Sequence, residues 1–337
     1  MAKRNFVTIE RHIIEEQMKH PEATGELSKL LTDLSIAAKI ISREVNKAGL
    51  VNILGVAGGE NVHGERVKKL DVFAHDLLFG MMDHGGQLAV MASEEEEGVM
   101  EIPPDKRVGK YVLLFDPLDG SSNIDANVSI GTIFSIFRRV TEGGGPGGLE
   151  DCVRPGVKQV AAGYVLYGSS TMFVYTAGEG THGFTLDPSI GEFLLSHENI
   201  RIPKRGNIYS VNEGNYPYWS DGLKRYVENL RSEQSPIGKP YSARYIGSMV
   251  ADVHRTLLYG GVFLYPADAK RPNGKLRLLY EANPMAFIVE SAGGKASDGA
   301  GRILERTPEG LHDRCPVILG SADDVADAER FLREERG

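Results

Sequence analysis

The sequence predicts an α/β fold in which helices and sheets stack in layers. At 337 residues the chain is too long for one small domain, which indicates two lobes or one large α/β body. Amphipathic helical patterns open the chain, β-branched and aromatic segments dominate its middle, and helices alternate with strands in its second part. Such alternation is typical of stacked α/β layers. A boundary near residue 198 would divide the chain into lobes 1–197 and 198–337.

The composition restricts the kind of partner. Apolar residues make up 41% and charged residues 25%, as in a globular protein, and the net charge of −8 argues against a nucleic-acid partner. A small anionic substrate stays possible where cations or a bound metal cluster locally. The two cysteines are far apart, which favours a reducing compartment. With no signal-peptide pattern and no apolar run of about 18 residues, we expect a cytoplasmic protein without a membrane partner.

Two helices are predicted before residue 86. The first covers residues 24–50, where apolar residues recur every three or four positions, with Thr24 as a possible N-cap and Gly49 as the stop. The second runs over 67–85. Between them, the polar, glycine-rich segment 54–65 is interpreted as a mobile loop of about the length of an active-site lid.

Short strands are predicted next, at 87–93, 111–115, 128–140, 159–168 and 171–177, with a flexible surface loop at 143–148. The second part adds strands at 261–267 and 276–281 and a terminal helix at 321–335. Two further helices have clear boundary signals: 247–260 with Ser248 as cap and Gly260 as stop, and 283–294 with Asn283 at the N-cap and Pro284 at the first helical position.

Acidic residues occur beside several predicted strand ends and helix starts. Asp116 and Asp119 follow a strand, Glu281 closes another, Glu94–Glu97 follow "LAVMAS", and Asp71 lies in the second helix. Each has a structural alternative: an Asx turn, a helix-dipole partner, a solvated acidic face or a surface residue. Their recurrence instead favours an oxygen-rich site for Mg²⁺ or Mn²⁺, with metals close enough to share a phosphate.

The stretch "DPLDGSS" combines two kinds of binding group. Gly120, Ser121 and Ser122 follow the second aspartate and can open a helix whose N–H groups point at an anion, while the hydroxyls add donors. One loop would then hold metals through its aspartates and a phosphoryl group through its amides, which are the two tasks of phosphoryl transfer. The sequence has no P-loop, HExxH, GxSxG or zinc-type spacing.

Longer motifs carry a family resemblance. "FDPLDGSSNID" resembles the metal-binding signature of the lithium-sensitive sugar and inositol phosphatase superfamily. "SEEEE", "ARYIGSMVADVHRTLLYGGVFLYPA" and "NGKLRLLYEANPMAFIVESAGG" narrow the resemblance to class I fructose-1,6-bisphosphatases, over about residues 22–325. It implies a five-layer α-β-α-β-α sandwich, a homotetramer, and hydrolysis of the 1-phosphate of fructose 1,6-bisphosphate in gluconeogenesis. Two or more Mg²⁺ ions per subunit would serve that reaction.

The resemblance also implies residue roles. Asp71 and Glu95 would orient or deprotonate the attacking water, with Glu65 standing where the family commonly has aspartate. The implied metal ligands are Glu94, Glu95, Asp116, the Leu118 carbonyl, Asp119 and Glu281. The implied substrate contacts are Asp119, Gly120, Ser121, Ser122, Asn212, Arg244, Tyr245, Tyr265, Lys275 and Arg277, with Arg244 serving a neighbouring subunit.

A regulatory AMP site is implied near the N-terminus. Its residues would be Thr24, Gly25, Glu26, Leu27, Ser28, Lys110, Tyr111 and Arg138. The alternative is that "TGELS" is only a capped helix start. Loop 50–69 would be the switch, ordered over the metals in the active enzyme and released by AMP. The segment after Arg139 is longer than in most of the family but carries only Cys152, so a regulatory disulfide within it is impossible.

Other functions stay open at this point. Sedoheptulose 1,7-bisphosphate, alone or in addition, is an alternative substrate, because one extra carbon changes pocket contacts too little for motifs to decide. A catalytically inactive relative acting as a sensor is disfavoured by the nearly complete carboxylate set. A carbohydrate-binding or scaffold protein would leave the clustered carboxylates unexplained.

Overall fold

Residues 6–47, 56–60 and 66–336 are described by a computed structural model. The helices are α1 (Ile9–Gln17), α2 (Glu26–Val45), α3 (Lys69–Met82), α4 (Leu149–Cys152), α5 (Asp221–Leu230), α6 (Met249–Tyr259), α7 (Asn283–Ser291) and α8 (Ala322–Arg336). The strands are β1 (Val56–Glu60), β2 (Arg66–Lys68), β3 (Leu88–Ser93), β4 (Met100–Glu101), β5 (Tyr111–Asp119), β6 (Ile130–Arg138), β7 (Gln159–Tyr167), β8 (Thr171–Thr176), β9 (Thr181–Asp187), β10 (Glu192–Ile200), β11 (Ile208–Ser210), β12 (Ser242–Ala243), β13 (Val262–Tyr265), β14 (Leu276–Arg277), β15 (Lys295–Ser297), β16 (Arg314–Cys315) and β17 (Val317–Gly320).

Two large sheets carry the architecture. The first has eight strands in the order β10-β9-β8-β7-β6-β5-β3-β4, and the second has five in the order β12-β11-β13-β17-β15. Helices α1, α2 and α3 cover the outer face of the first sheet, α6 and α7 lie between the sheets, and α5 and α8 cover the far side of the second. The layers therefore run α-β-α-β-α, which confirms the predicted α/β sandwich.

Strand β7 shows why the first sheet is covered on both faces. Val165 packs into the outer core with α1–α3, whereas Ala162 and Tyr164 pack into the core with α6 and α7. Side chains alternate across a strand, so a strand that is apolar at every position must be buried on both sides. Burying each large apolar side chain contributes about 1.5–3 kcal/mol, which stabilises the stack of layers.

Helix α6 has the predicted boundaries. The Ser248 hydroxyl accepts a hydrogen bond from the Ala251 N–H, and Gly260 is the C-cap. On its buried face, His254 Nδ1 lies 2.7 Å from the Tyr164 hydroxyl of β7, so this histidine ties the helix to the first sheet. Helix α6 is thereby fixed between the two sheets, with its N-terminus at the end of β5.

The predicted cap of α2 is wrong. Gly25, not Thr24, is the N-cap, and it has a left-handed φ of 80° that glycine adopts without strain. The backbone therefore turns into the helix after Thr24, whose hydroxyl donates to Glu26 Oε2 instead of capping a backbone amide. At the other end the C-cap is Asn46, and the predicted stop, Gly49, lies outside the described residues.

The predicted strand 276–281 is wrong beyond Arg277. Leu278–Ala282 form a π-helical turn that continues directly into α7, and the Asn283 N–H donates to the Leu278 carbonyl, five residues back. Asn283 is therefore already helical, and the N-cap of α7 is Ala282 instead of the predicted Asn283. Composition alone does not separate a short apolar strand from a buried helical turn, which explains the error.

The loop prediction for 54–65 is wrong where strand β1 forms. Val56 pairs with Lys68 and Glu60 with Arg66, so β1 and β2 make a two-stranded antiparallel sheet. Glycines lack side chains but still supply the backbone groups that a ladder needs, so glycine content did not exclude a strand. The second predicted helix begins at Lys69 and ends at Met82. No helix in the described part of the chain is long and apolar enough to cross a membrane.

Replacing Gly131 by alanine should destabilise the fold. A Cβ atom there would lie 2.5 Å from the Val165 carbonyl and 2.7 Å from both Val250 methyl groups, so α6 would be pushed off the sheet. We expect a loss of about 1–3 kcal/mol, measured from urea unfolding midpoints. Gly80→Ala is the matched control, because its Cβ meets open space in α3 and should add about 0.5–1 kcal/mol. Equal midpoints for Gly131→Ala and wild type would contradict this packing.

Candidate active site

The first acidic residues of the site come from an irregular strand end. Strand β5 extends to Asp119, beyond the predicted end at Phe115, and its pairing with β6 shifts register between Asp116 and Asp119. In a regular strand, residues three apart face opposite sides, whereas a bulge redirects a side chain. The irregularity at Pro117 and Leu118 therefore lets both carboxylates face the same cavity.

A third carboxylate arrives from the π-helical turn. Ligand oxygens of Asp116, Asp119 and Glu281 lie within 4.8 Å of one another, and all three residues are buried. Glu94 and Glu95, which follow β3, line the same cavity of about 140 Å³, as does Leu118. Segments more than 160 residues apart in sequence thus converge on one oxygen-rich site, the donor set that suits Mg²⁺ or Mn²⁺.

The cluster is electrostatically strained. Burial raises the pKa of Asp116 and of Glu281 well above their usual values, and the nearby carboxylate of Glu94 raises both further. Burial also raises the pKa of Asp119, to about 6, against the opposing effect of its hydrogen bonds. Among the described residues lining the cavity, there are two cations, Lys275 and Arg277, and five carboxylates besides Asp252, which is paired with Arg255. These residues fit a divalent cation, which would supply the missing positive charge.

The N-terminus of α6 fixes one of these carboxylates. Asp119 Oδ2 accepts hydrogen bonds from the Ser248 hydroxyl at 3.1 Å and the Val250 N–H at 2.9 Å. A carboxylate beside a helix N-terminus is favoured by the helix dipole. The helix thereby holds at the cluster a carboxylate that has an oxygen within 4.8 Å of oxygens of Asp116 and Glu281.

The glycine–serine segment forms one wall of the cavity. Gly120 has a left-handed φ of 76° and opens a 3₁₀ turn, Ser121–Ala126, in place of the helix start predicted from sequence. Gly120, Ser121 and Ser122 all line the cavity beside Asp119. The first N–H groups of such a turn, together with two hydroxyls, suit an oxyanion of phosphoryl size.

The opposite wall comes from the second part of the chain. Tyr245, Tyr265, Lys275 and Arg277 line it, and Lys275 Nζ lies 5.7 Å from the centre of the Tyr265 ring. Arg277 is buried, with Nη2 at 3.4 Å from Glu94 Oε1. Cationic and phenolic groups therefore line the same cavity as the acidic cluster, and Arg277 contacts Glu94 of that cluster directly. The combination suits a small phosphorylated ligand.

Among the described residues, three of those predicted for catalysis or substrate binding do not line this cavity. Asn212 borders a small neighbouring hollow that also touches Tyr265, and its side chain accepts from the Gly214 N–H. Arg244 is exposed and donates to its own neighbour's carbonyl. Asp71 is buried in the first turn of α3, and Glu65 lies outside the described residues.

A second and larger cavity, of about 350 Å³, lies at the N-terminal side. The eight residues predicted for a nucleotide site, Thr24, Gly25, Glu26, Leu27, Ser28, Lys110, Tyr111 and Arg138, all line it. Lys110 Nζ bonds the Thr24 hydroxyl at 2.9 Å and pairs with Glu26, while Arg138 lies over the Tyr111 ring. The far end is lined by His12, Tyr175 and His182, which no local signal in the sequence could have brought together.

Sequence reasoning also missed residues of the first cavity. Gly247, Ser248, Met249 and Asp252, at the start of α6, line it. Ser248 was identified only as a helix cap. That role was the available signal, because a helix that begins at a site brings its cap and first amides to the ligand.

The layered fold and a buried carboxylate cluster beside an amide-lined cup define a phosphatase. The family model described as "Fructose-1-6-bisphosphatase, N-terminal domain" matches residues 7–198, and that of the "C-terminal domain" matches residues 202–333. The chain belongs to the fructose-1,6-bisphosphatase family.

Individual relatives agree with this assignment. The chain is 63% identical to a class 1 fructose-1,6-bisphosphatase of Chloroherpeton thalassium over 97% of this chain and 93% of that protein. It is 59% identical to the class 1 enzyme of Chlorobium luteolum over 97% and 98% of the two chains. Among solved structures, the holo form of Leishmania major fructose-1,6-bisphosphatase is similar with a TM-score of 0.89, 44% identity, and coverage of 97% and 99%.

Glu281→Gln should stabilise the metal-free protein and weaken its response to metal. The raised pKa means that the folded state holds a proton that the unfolded state releases, so stability falls as pH rises above the unfolded pKa of about 4.3. We expect the metal-free melting temperature to fall less for the variant than for wild type between pH 5 and 7.5, and the increase caused by Mg²⁺ or Mn²⁺ to shrink.

The control for that measurement is Glu290→Gln in α7, which removes a carboxylate paired with Arg302 at 2.7 Å. It should keep the wild-type response to metal. If Glu281→Gln kept the full metal-induced increase in melting temperature, Glu281 would not be a ligand.

Proposed function

We propose that this phosphatase hydrolyses the 1-phosphate of D-fructose 1,6-bisphosphate to fructose 6-phosphate and phosphate, in gluconeogenesis. The observation that carries the proposal is the convergence of Asp116, Asp119 and Glu281 beside the Gly120–Ser122 cup. Membership of the family and the names of the relatives support the choice of sugar.

Two or more Mg²⁺ ions, or Mn²⁺, are the proposed cofactor. Their ligands would be Glu94, Glu95, Asp116, the Leu118 carbonyl, Asp119 and Glu281, all of which line one cavity. When bound, such ions neutralise charge on the phosphoryl group and lower the pKa of bound water. The protein contributes the fixed arrangement of these oxygens, which burial and the α6 amides hold in place.

The remaining roles fall to the protein's own groups. Gly120, Ser121 and Ser122 would hold the 1-phosphate through N–H and hydroxyl donors. Glu95 would accept a proton from the attacking water, since it lines the cavity beside the acidic cluster. Asp71 would orient that water indirectly from α3, and Glu65 is proposed to assist.

The sugar and its second phosphate would lie against the C-terminal lobe. Tyr245, Tyr265, Lys275 and Arg277 line that side of the cavity, with Asn212 close to Tyr265. We propose 1–197 as the metal and regulatory lobe and 198–337 as the sugar-phosphate lobe, with the site at their junction. Arg244 is exposed, which suits a contribution to a neighbouring subunit of a homotetramer.

Regulation and location complete the proposal. AMP would bind in the 350 Å³ cavity, with its phosphate near the start of α2 and near Lys110 and Arg138, and inhibit the enzyme. We place the protein in the cytoplasm, since Cys152 and Cys315 are buried free thiols that suit a reducing compartment.

Phosphate release from fructose 1,6-bisphosphate is the direct test. With Mg²⁺ the wild type should be active and EDTA should abolish the activity. Asp119→Asn should lower kcat by about a thousandfold or more, because a ligand that α6 orients is lost. The matched control is Asp187→Asn, a half-buried aspartate that accepts from Ser189 in its own turn and does not line the cavity, so it should keep wild-type rates. Phosphate release unaffected by Asp119→Asn would contradict the site.

The choice of sugar needs a separate comparison. We expect kcat/KM to be higher for fructose 1,6-bisphosphate than for sedoheptulose 1,7-bisphosphate. A preference for the seven-carbon substrate would overturn the assigned sugar but leave the chemistry intact.

Arg138→Ala should weaken inhibition by AMP. The guanidinium lines the second cavity on the side where we propose the AMP phosphate, so its loss should raise the AMP concentration for half inhibition by about tenfold. Each variant is compared with its own uninhibited rate. The control is Lys106→Ala, which removes an exposed cation paired with Asp105. AMP should inhibit this variant as strongly as it inhibits the wild type. Unchanged AMP inhibition of Arg138→Ala would place the nucleotide elsewhere.

A further inference from the structure

One buried carboxylate near the site has no role in the chemistry described so far. Asp252, in α6, is completely buried. Its Oδ1 accepts hydrogen bonds from the Ser210 hydroxyl at 2.8 Å and the Ile246 N–H at 3.1 Å, and its Oδ2 accepts from the N–H groups of Ile246 and Gly247, both at 3.1 Å. A buried carboxylate with this many donors is held rigidly, and it holds its donors in turn.

Arg255 completes the arrangement one turn further along α6. Its Nη2 donates to Asp252 Oδ1 at 2.7 Å and to the Arg244 carbonyl at 2.8 Å. The ion pair supplies the charge that the buried carboxylate needs. Asp252 and Arg255 therefore clamp the backbone of segment 244–247 at both of its ends.

Segment 244–247 has little else to hold it. All four residues are exposed, with Tyr245 at 39% and Ile246 at 41%, and the preceding strand β12 is only two residues long. Apolar packing therefore contributes little to its conformation, and hydrogen bonds hold it instead. Besides those to the α6 side chains, these are the bond from the Arg244 N–H to the Tyr209 carbonyl at 2.9 Å and one from Asn123 to the Gly247 carbonyl.

The same segment connects the separate parts of the site. Gly247, with a left-handed φ of 85°, accepts a hydrogen bond at its carbonyl, at 3.1 Å, from Nδ2 of Asn123, the residue that follows the Gly120–Ser122 cup. The next residue, Ser248, donates to Asp119, and Tyr245 lines the sugar side of the cavity. A shift of this backbone would thus displace Tyr245, which is part of the sugar wall of the cavity (Tyr245, Tyr265, Lys275 and Arg277), relative to the Gly120–Ser122 cup and the carboxylate cluster.

We propose that Asp252, supported by Arg255, is a positioning residue that presets segment 244–247 for the sugar-phosphate part of the substrate. The inference rests on the proposed function, because it assigns Tyr245 and Arg244 to that part. Asp252 touches no reacting atom. It lowers the cost of binding by keeping the sugar wall ordered before the ligand arrives.

Asp252→Asn tests the proposal with little change in volume. An asparagine turns one acceptor into a donor that faces the N–H of Gly247, so one anchor is lost and the segment loosens. We expect the dissociation constant of fructose 6-phosphate, measured by calorimetry without turnover, to rise about tenfold or more. KM for fructose 1,6-bisphosphate should rise similarly, whereas kcat should fall less than threefold because the carboxylate cluster and the cup stay in place.

The matched control is Asp324→Asn. Asp324 is also buried in the C-terminal lobe and also accepts from a backbone amide, that of Gly206, and from a tyrosine hydroxyl, that of Tyr241. Asp324 does not line the cavity, and its side-chain partners are Arg205, Gly206 and Tyr241 rather than residues of segment 244–247, so its substitution should lower stability without moving either affinity. Equal shifts in the two variants, or wild-type affinities in Asp252→Asn, would overturn the proposal.

Two further outcomes are decisive as well. If Asp252→Asn does not fold, Arg255→Gln is the variant to test. It frees the Arg244 carbonyl and should raise the dissociation constant of fructose 6-phosphate and KM for fructose 1,6-bisphosphate by a smaller factor. Wild-type constants in a folded Arg255→Gln would overturn the proposal.

A wild-type protein that neither binds fructose 6-phosphate nor hydrolyses the bisphosphate would refute the proposed function, and the inference would fall with it.

Discussion

The mutual repulsion of buried carboxylates is the constraint on which the rest of the site depends. Ligand oxygens of Asp116, Asp119 and Glu281 lie within 4.8 Å of one another in a buried position, where burial raises the pKa of each carboxyl group. A protein keeps such an arrangement only if its rigid surroundings prevent the groups from separating or if a bound ligand stabilises them together. Here the surroundings are two sheets with α6 fixed between them, and the ligand that fits is a divalent cation.

Irregular backbone provides the geometry that regular elements cannot. The register shift in β5 turns Asp116 and Asp119 toward one cavity, and the π-helical turn before α7 brings Glu281 to them. The left-handed Gly120 then starts the phosphate cup. Bulges and π-turns are concentrated at functional sites in general, because they aim side chains where uniform strands and helices would not. The packing of the regular layers holds these irregular segments in place.

The sequence predicts the features that depend on neighbouring residues, such as helix boundaries and closely spaced carboxylates. Caps and periodicity predict α6 with its Ser248 and Gly260 boundaries. The short spacing between Asp116 and Asp119 predicts the acidic site at the end of β5. The apolar composition of Leu278–Ala282 fits a strand as well as a helical turn, so sequence alone predicts the wrong element there. The assembly of distant groups, such as His12 with His182 or Asp252 with Ser210, depends on tertiary packing, which carries no local signature.

The central claim is that the carboxylate cluster exists to hold cations. Crystals grown with Mn²⁺ would test it most directly, because manganese scatters anomalously and can be located independently of the protein atoms. The account predicts anomalous peaks within coordination distance of Asp116, Asp119 and Glu281. Peaks only elsewhere on the protein, with these side chains still clustered and bonded only to one another, would contradict it.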